Sequence, residues 1–233
     1  MHLIVMPLVG ETINRAVDCF KLWLNQLLTQ AFIMKRLSLL KLPLLALMVA
    51  TLYGLPDDAA AANPQVLVKT SMGEITIELY PDKAPKTVEN FLKYVSAGHY
   101  SGTIFHRVIG NFMIQGGGFT REFYKGSPAP KPTQKGIELE SQNGLRNDAG
   151  WVAMARTSRP DSATSQFFIN TVDNPSLNHP APDGYGYAVF GKVVKGMDAV
   201  TKIRGAQTIT VGPFSDVPFE AIIIDSVSLV GGK

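Results

Sequence analysis

The chain has 233 residues, 45% of them hydrophobic and 18% charged, a balance that suits a folded globular protein and excludes a disordered one. Its 22 Lys and Arg stand against 19 Asp and Glu, a formal charge of +3, so no electrostatic footprint for nucleic acid or a polybasic membrane patch is present. The single cysteine, Cys19, excludes an internal disulfide framework and any multi-cysteine zinc or iron–sulfur site.

Residues 1–33 place Val17, Phe20, Leu24 and Leu27 at helical spacing, beside Trp23 and Leu28. They read either as an over-extended start or as an amphipathic extension. Met34, Lys35 and Arg36 then open an apolar run that ends at Leu55. Its least interrupted stretch, Leu42 to Leu55, falls short of the roughly 20 apolar residues that span a bilayer. Basic entry, apolar run and small residues at Ala60 and Ala62 follow in export order, so residues 34–62 are expected to be a signal peptide cut after Ala62. A buried core helix and an uncleaved anchor are the alternatives, and Pro43 speaks against the helix. Cleavage would remove Cys19, leave residues 63–233 as one domain without a thiol, and leave no stable membrane insertion.

Within that domain, Gln65 to Lys69 and Glu74 to Tyr80 are β-rich runs joined by a short turn, as in a hairpin. Pro85 suits the first turn of a helix in which Val88, Phe91, Leu92 and Val95 recur at i, i+3, i+4 and i+7, and Gly98 can end it. Short apolar runs follow at residues 103–109, 112–115, 151–155, 166–170, 188–194 and 221–230, each bounded by Gly, Pro, Asn or Asp. A second helix is expected over Met197 to Ile203. Residues 116–150, which open on three consecutive glycines and carry Pro128, Pro130 and Pro132 at alternate positions, read as an irregular excursion. Many short strands with two helices predict an antiparallel barrel or sandwich.

The chemistry is narrowed mainly by exclusion. No GxSxG elbow supports a serine hydrolase. His179 and Asp183 are separated by Pro-Ala-Pro and make a poor metal pair, so no metal and no cofactor is expected. The glycines at 116–118 lack the spacing of a phosphate loop and suit a turn or bulge instead. In a regular strand Phe105 and Arg107 would share one face, which places a cation among aromatic and methionine side chains.

Two strings, FHRVIGNFMIQGGG (Phe105 to Gly118) and AMARTSRPDSATSQFFIN (Ala153 to Asn170), closely resemble the signatures of the cyclophilins, the peptidyl-prolyl isomerase family. The resemblance extends through PDKAPKTVENF (Pro81 to Phe91), NGLRN (Asn143 to Asn147) and AVFGKVVKGMDAV (Ala188 to Val200), and so spans nearly all of residues 63–233. The SATSQFF form looks like that of bacterial or organellar members. The resemblance implies a mainly β fold: an eight-stranded antiparallel β-barrel closed by two α-helices, with the active groove on its outside. Carried over residue by residue, it makes Arg107 the catalytic arginine and Gln115 the side chain that helps hold it. Phe112, Met113 and Phe168 become the proline pocket, Leu177 its wall, and Ala155 and Gln166 the positions that line the peptide, with Tyr187 in the substrate site. Three positions depart from animal members: Ser176 replaces an aromatic before the leucine and weakens the expectation of cyclosporin binding, Arg156 replaces an asparagine, and Tyr187 replaces a histidine.

Rotation about an Xaa–Pro bond requires loss of amide resonance, against a barrier of roughly 18–20 kcal/mol, and no bond need be made to lower it. An arginine aimed at the proline nitrogen of the twisted amide would stabilise the transition state selectively. The expectation is an exported, monomeric isomerase of proline-containing polypeptides, in the periplasm or thylakoid lumen. The alternative is a non-catalytic module that grips such segments as a chaperone or assembly factor.

Overall fold

Alternating apolar residues in the first hairpin set the curvature on which the rest of the domain closes. A computed structural model describes residues 62–126 and 128–231. The expected leader and the upstream residues 1–33 lie outside the described residues, apart from Ala62. Strands β1 (Gln65–Thr70) and β2 (Gly73–Leu79) pair antiparallel, from Gln65 opposite Glu78 to Thr70 opposite Gly73. Val66, Val68, Ile75, Ile77 and Leu79 point inward from them and are fully buried or nearly so. Six more strands complete a closed barrel: β3 (Thr103–Ile109), β4 (Met113–Thr120), β5 (Trp151–Met154), β6 (Phe167–Asn170), β7 (Val189–Lys195) and β10 (Ile222–Leu229). Around the barrel the order is β1, β10, β3, β4, β6, β5, β7, β2, and every pairing is antiparallel. Closure leaves no unpaired edge in this sheet.

Helices α1 (Pro85–Ser96) and α2 (Met197–Arg204) both bury residues in the barrel's core. Phe91 of α1 lies between Tyr100, Phe167 and Phe190, with ring centroids 5.2, 5.7 and 5.1 Å away. Ala84 supplies no side-chain cap to α1. The carboxylate of Glu140 takes that place from the far excursion, accepting from the backbone N–H of Lys86 (3.1 Å) and Thr87 (2.8 Å) and from the Thr87 hydroxyl (2.7 Å). Its negative charge sits at the helix end where free N–H groups and the dipole favour it.

The structure departs from the sequence reading in three places. The excursion starts later than residue 116, because β4 runs through the three glycines to Thr120 before a 3-10 turn at Arg121–Lys125. A hairpin of β8 (Thr208–Val211) and β9 (Phe214–Pro218), unforeseen, lies between α2 and the last strand. Its Phe214 and Val217 pack with Ile104, Phe119 and Phe123 into a second apolar cluster beside the barrel. Finally, Phe105 and Arg107 do not share a face. Phe105 pairs with Gly116 and Arg107 with Gln115, so two steps on β3 oppose one on β4. This bulge at His106 sends Phe105 into the core, turns His106 and Arg107 both outward, and returns Val108 to the core.

His106 enters the outer cluster, its ring centroid 4.7 Å from that of Phe119 and 6.3 Å from that of Phe123, and its Nδ1 finds no partner. Burial, with Arg107 next to it, lowers its pKa to about 4, although a backbone hydrogen bond with Ile104 opposes the shift. The unfolded chain, with an ordinary histidine pKa near 6.5, therefore binds a proton that the folded chain refuses between pH 6.5 and 4. Stability is fully present above pH 6.5 and falls as the solution is acidified. Urea unfolding at pH 7 and pH 5 should show a loss of about 2 kcal/mol from this residue. His106→Phe should flatten that part of the pH dependence, with a smaller loss of the same sign left by the partly buried His99.

Candidate functional site

Beyond the bulge, the outer face of β3 and β4 carries Arg107, Met113 and Gln115 side by side. Together with Phe112, Ala155, Phe168, Leu177 and Tyr187 they line a cavity of about 210 Å³. All the residues assigned to the site from sequence line this cavity except Gln166, which reaches it through a neighbour: Gln115 Nε2 donates to Gln166 Oε1 at 2.9 Å. The volume is below the usual 300–1,000 Å³ of sites for drug-sized ligands and suits one side chain of a peptide. Its floor is fixed, since Met113, Phe168 and Leu177 pack with the buried Ala153 and Val189, and Phe168 meets Tyr187 edge-on at 5.7 Å. Arg107 is the outward cation at the rim, its side chain 44% exposed, with Nε 3.9 Å from Asp216 Oδ2.

Gln115 lies opposite Arg107 in the strand register, yet its amide bond goes to Gln166. Its relation to the arginine is thus set by strand pairing. The glycine run explains how the two glutamines meet. A Cβ at Gly118 would lie 2.5 Å from Gln166 Cγ, so only a residue without a side chain lets Gln166 lie across β4. Close approach, and no phosphate cradle, accounts for that glycine.

Two sets of supporting residues were not singled out for this role in the sequence. Arg156 is only 2% exposed at its side chain. It donates to the carbonyl of Gly186 from Nε (3.0 Å) and Nη2 (2.8 Å), to that of Thr157 (3.0 Å) and to Asp183 Oδ1 (2.8 Å). Its guanidinium carbon lies 4.6 Å from the Tyr187 ring centroid. Burial disfavours the charge on Asp183, but hydrogen bonds from Arg156 and the backbone outweigh it and hold the carboxyl below its ordinary pKa. The second set is a buried asparagine cluster. Asn174 Nδ2 donates to the Phe112 carbonyl and to Asn170 Oδ1, both at 2.8 Å, and Asn147 Nδ2 donates to the Leu177 carbonyl at 3.2 Å. Phe112 and Leu177 are thereby tied to the barrel through their backbones.

A larger cavity of about 460 Å³ is lined by Glu138, Glu140, Ser141, Asp161, His179 and Tyr185 among others. Four of its polar side chains are already engaged: Glu138 with Lys86, Glu140 with the α1 terminus, Ser141 with the Tyr185 carbonyl and Asp161 with Arg159. The smaller cavity has an apolar floor and, in Arg107, a cation whose one contact given among the described residues is the long ion pair with Asp216. Such an arrangement can hold an apolar ring against Met113 and Phe168 and offer it a positively charged N–H donor. No nucleophile lines it.

The family model described as cyclophilin type peptidyl-prolyl cis-trans isomerase/CLD matches residues 65–229. The peptidyl-prolyl cis-trans isomerase cyp18 of Streptomyces antibioticus is 53% identical over 168 residues, covering 71% of this chain and 98% of that protein. Peptidyl-prolyl cis-trans isomerase B of Escherichia coli is 51% identical over 166 residues, covering 70% and 98%. Among solved structures, a cyclophilin type peptidyl-prolyl cis-trans isomerase of Cryptosporidium parvum superposes with a TM-score of 0.60 at 28% identity, covering 73% of this chain and 99% of that one. The same Cryptosporidium parvum protein in the presence of the dipeptide Ala-Pro gives 0.59 at 27% identity, covering 72% and 99%.

Gly118→Ala should fold but displace Gln166. The side-chain amide resonances of Gln115 and Gln166 should both shift, and stability should fall by about 1 kcal/mol for the lost hydrogen bond. Unmoved amide signals would show that β4 yields instead.

Proposed function

Because the chain belongs to the cyclophilin-type peptidyl-prolyl cis-trans isomerase family and is an isomerase of Xaa–Pro bonds, we propose that Arg107 is its catalytic donor and the adjoining cavity its proline pocket. The observation that carries this reading is the placement of the half-exposed Arg107 guanidinium at the rim of a cavity floored by Met113 and Phe168. In the planar amide the proline nitrogen shares its lone pair with the carbonyl and is a poor acceptor. As the bond twists, resonance is lost and the lone pair returns to nitrogen. A donor aimed there is complementary to the twisted state and to neither planar isomer, so its binding energy lowers the barrier.

Phe112, Met113, Phe168 and Leu177 hold the pyrrolidine ring while the flanking peptide turns, and Tyr187 closes the far side. Ala155 and Gln166 line the peptide's path beside Gln115. The Ala-Pro dipeptide named with the Cryptosporidium parvum structure supports the substrate class: a small residue followed by proline in a polypeptide. Neither bond-making nor a metal enters this scheme.

The leader gives the reading a location. The order of Met34, Lys35 and Arg36, then an apolar run, then Ala60 and Ala62 supports export, so the clients are proline-containing chains that fold in the periplasm or thylakoid lumen as the enzyme acts on them as a monomer. Uncatalysed isomerisation takes tens to hundreds of seconds, slow enough to limit their folding.

Arg107→Ala should lower kcat/KM on an Ala-Pro peptide about 100-fold, the effect of removing one charge-assisted donor worth about 3 kcal/mol, with the fold intact. Exchange NMR or a protease-coupled assay reads this, and activity within threefold of the parent would refute the assignment. Mass spectrometry of the protein from its native compartment should find Asn63 at the N-terminus. A chain that still begins at Met1 or Met34 would count against export by a cleaved leader.

A further inference from the structure

The hairpin that the sequence pattern did not disclose brings a carboxylate to the cleft. Asp216, on β9, places Oδ2 3.9 Å from Nε of Arg107. Among the described residues it is the one non-glycine residue with positive φ, at 61°. Asp and Asn are the L residues that tolerate that region, so this position in the hairpin suits a short polar side chain. Its surroundings leave it little slack. Val217 is fully buried, the Phe214 ring lies 4.9 Å from that of Phe123 and 5.6 Å from that of Phe119, and the Tyr124 hydroxyl donates to the Pro218 carbonyl at 2.8 Å. The outer aromatic cluster thus clamps the hairpin on both sides of Asp216, beside the bulge that turns Arg107 outward.

We propose that Asp216 is a positioning residue for Arg107, drawing the Nε edge of the guanidinium to the rim so that its remaining donors stay over the proline pocket. The inference rests on Arg107 being the catalytic donor. At 3.9 Å the contact has the range of an ion pair and not of a hydrogen bond, so it acts as an electrostatic tether and leaves every N–H of the guanidinium free to donate. With 44% and 38% of the two side chains exposed, the tether is weak and screened by salt. Its contribution is therefore bounded at about fivefold in rate. A restrained arginine matters only when the twisted amide is formed, so the effect falls on kcat and leaves KM alone.

The test uses Asp216→Asn, which keeps the side chain's size and its tolerance of positive φ while removing the charge. Exchange NMR on a neutral Ala-Pro peptide should show kcat reduced about two- to fivefold, KM within twofold of the parent, and an unchanged thermal midpoint. Raising the salt from about 0.05 M to 0.5 M should lower kcat of the parent toward that of Asp216→Asn and leave the variant unaffected. In the Arg107→Ala background the second substitution should change nothing. If Arg107→Ala is crippled while Asp216→Asn matches or exceeds the parent, or if the parent's kcat ignores salt, Asp216 has no positioning role although the catalytic reading stands. An equal loss with and without Arg107 also overturns the proposal, because the effect then travels through the fold. Should Arg107→Ala itself stay active, the catalytic reading fails and this inference fails with it.

Discussion

A single extra residue in β3 decides where the chemistry sits. Without the bulge at His106, strict alternation would carry Arg107 to the same side as Phe105, into an interior filled by Phe91, Tyr100, Phe167 and Phe190. A guanidinium buried there without a partner would cost several kcal/mol. The bulge instead puts two consecutive side chains outside. His106 is absorbed by the Phe119 and Phe123 cluster, and Arg107 is left over β4 beside Met113 and Gln115. The position of the donor is thus a property of strand pairing, which is stiffer than any loop.

The rest of the site is organised so that its apolar walls are held through their backbones by buried polar side chains. Phe112 and Leu177 come from connections outside the strands, where apolar packing alone would leave them free to shift. Asn174 and Asn147 bind their backbone carbonyls, and both asparagines are buried. Arg156 does the same for the turn that precedes Tyr187, spending its donors on the Gly186 and Thr157 carbonyls and on Asp183. A buried polar network of this sort contributes little net stability when satisfied and costs a great deal when broken, which is why it fixes geometry well.

How much of this was legible in the sequence depended on whether the signal was local. The eight barrel strands show as short apolar runs bounded by Gly, Pro, Asn or Asp, with clear alternation in β2, and α1 shows in its i, i+3, i+4, i+7 spacing, because a buried run leaves its mark on the local sequence. The residues that line the cavity were found by resemblance, in strings long enough to fix the register. The bulge was not legible, since it exists only in the pairing of β3 with β4 and leaves no mark on either strand alone. Gly116 to Gly118 misled for a related reason: glycine is poor in strands by propensity, yet here Gly118 is required by the approach of Gln166 from β6's flank. The β8–β9 hairpin escaped because Thr208, Ile209 and Thr210 are exposed, so β8 lacks the buried apolar run that marks the barrel strands. The asparagine cluster has no period at all.

The half-exposed state of Arg107 is what an arginine with this task requires. A donor already sequestered in the free protein would demand partners to offset its desolvation, and those partners would compete with the substrate. At the rim, water solvates the guanidinium cheaply until a peptide covers the cleft. Covering it lowers the local dielectric at the moment the proline nitrogen regains its lone pair, so the hydrogen bond strengthens as the amide twists. In the proposed mechanism, pocket, donor and substrate divide the work: Met113 and Phe168 would fix the ring, strand register fixes the arginine's base, and the peptide itself would exclude the water. On this view the interior of the barrel, filled to its centre by aromatic rings, contributes by refusing to move.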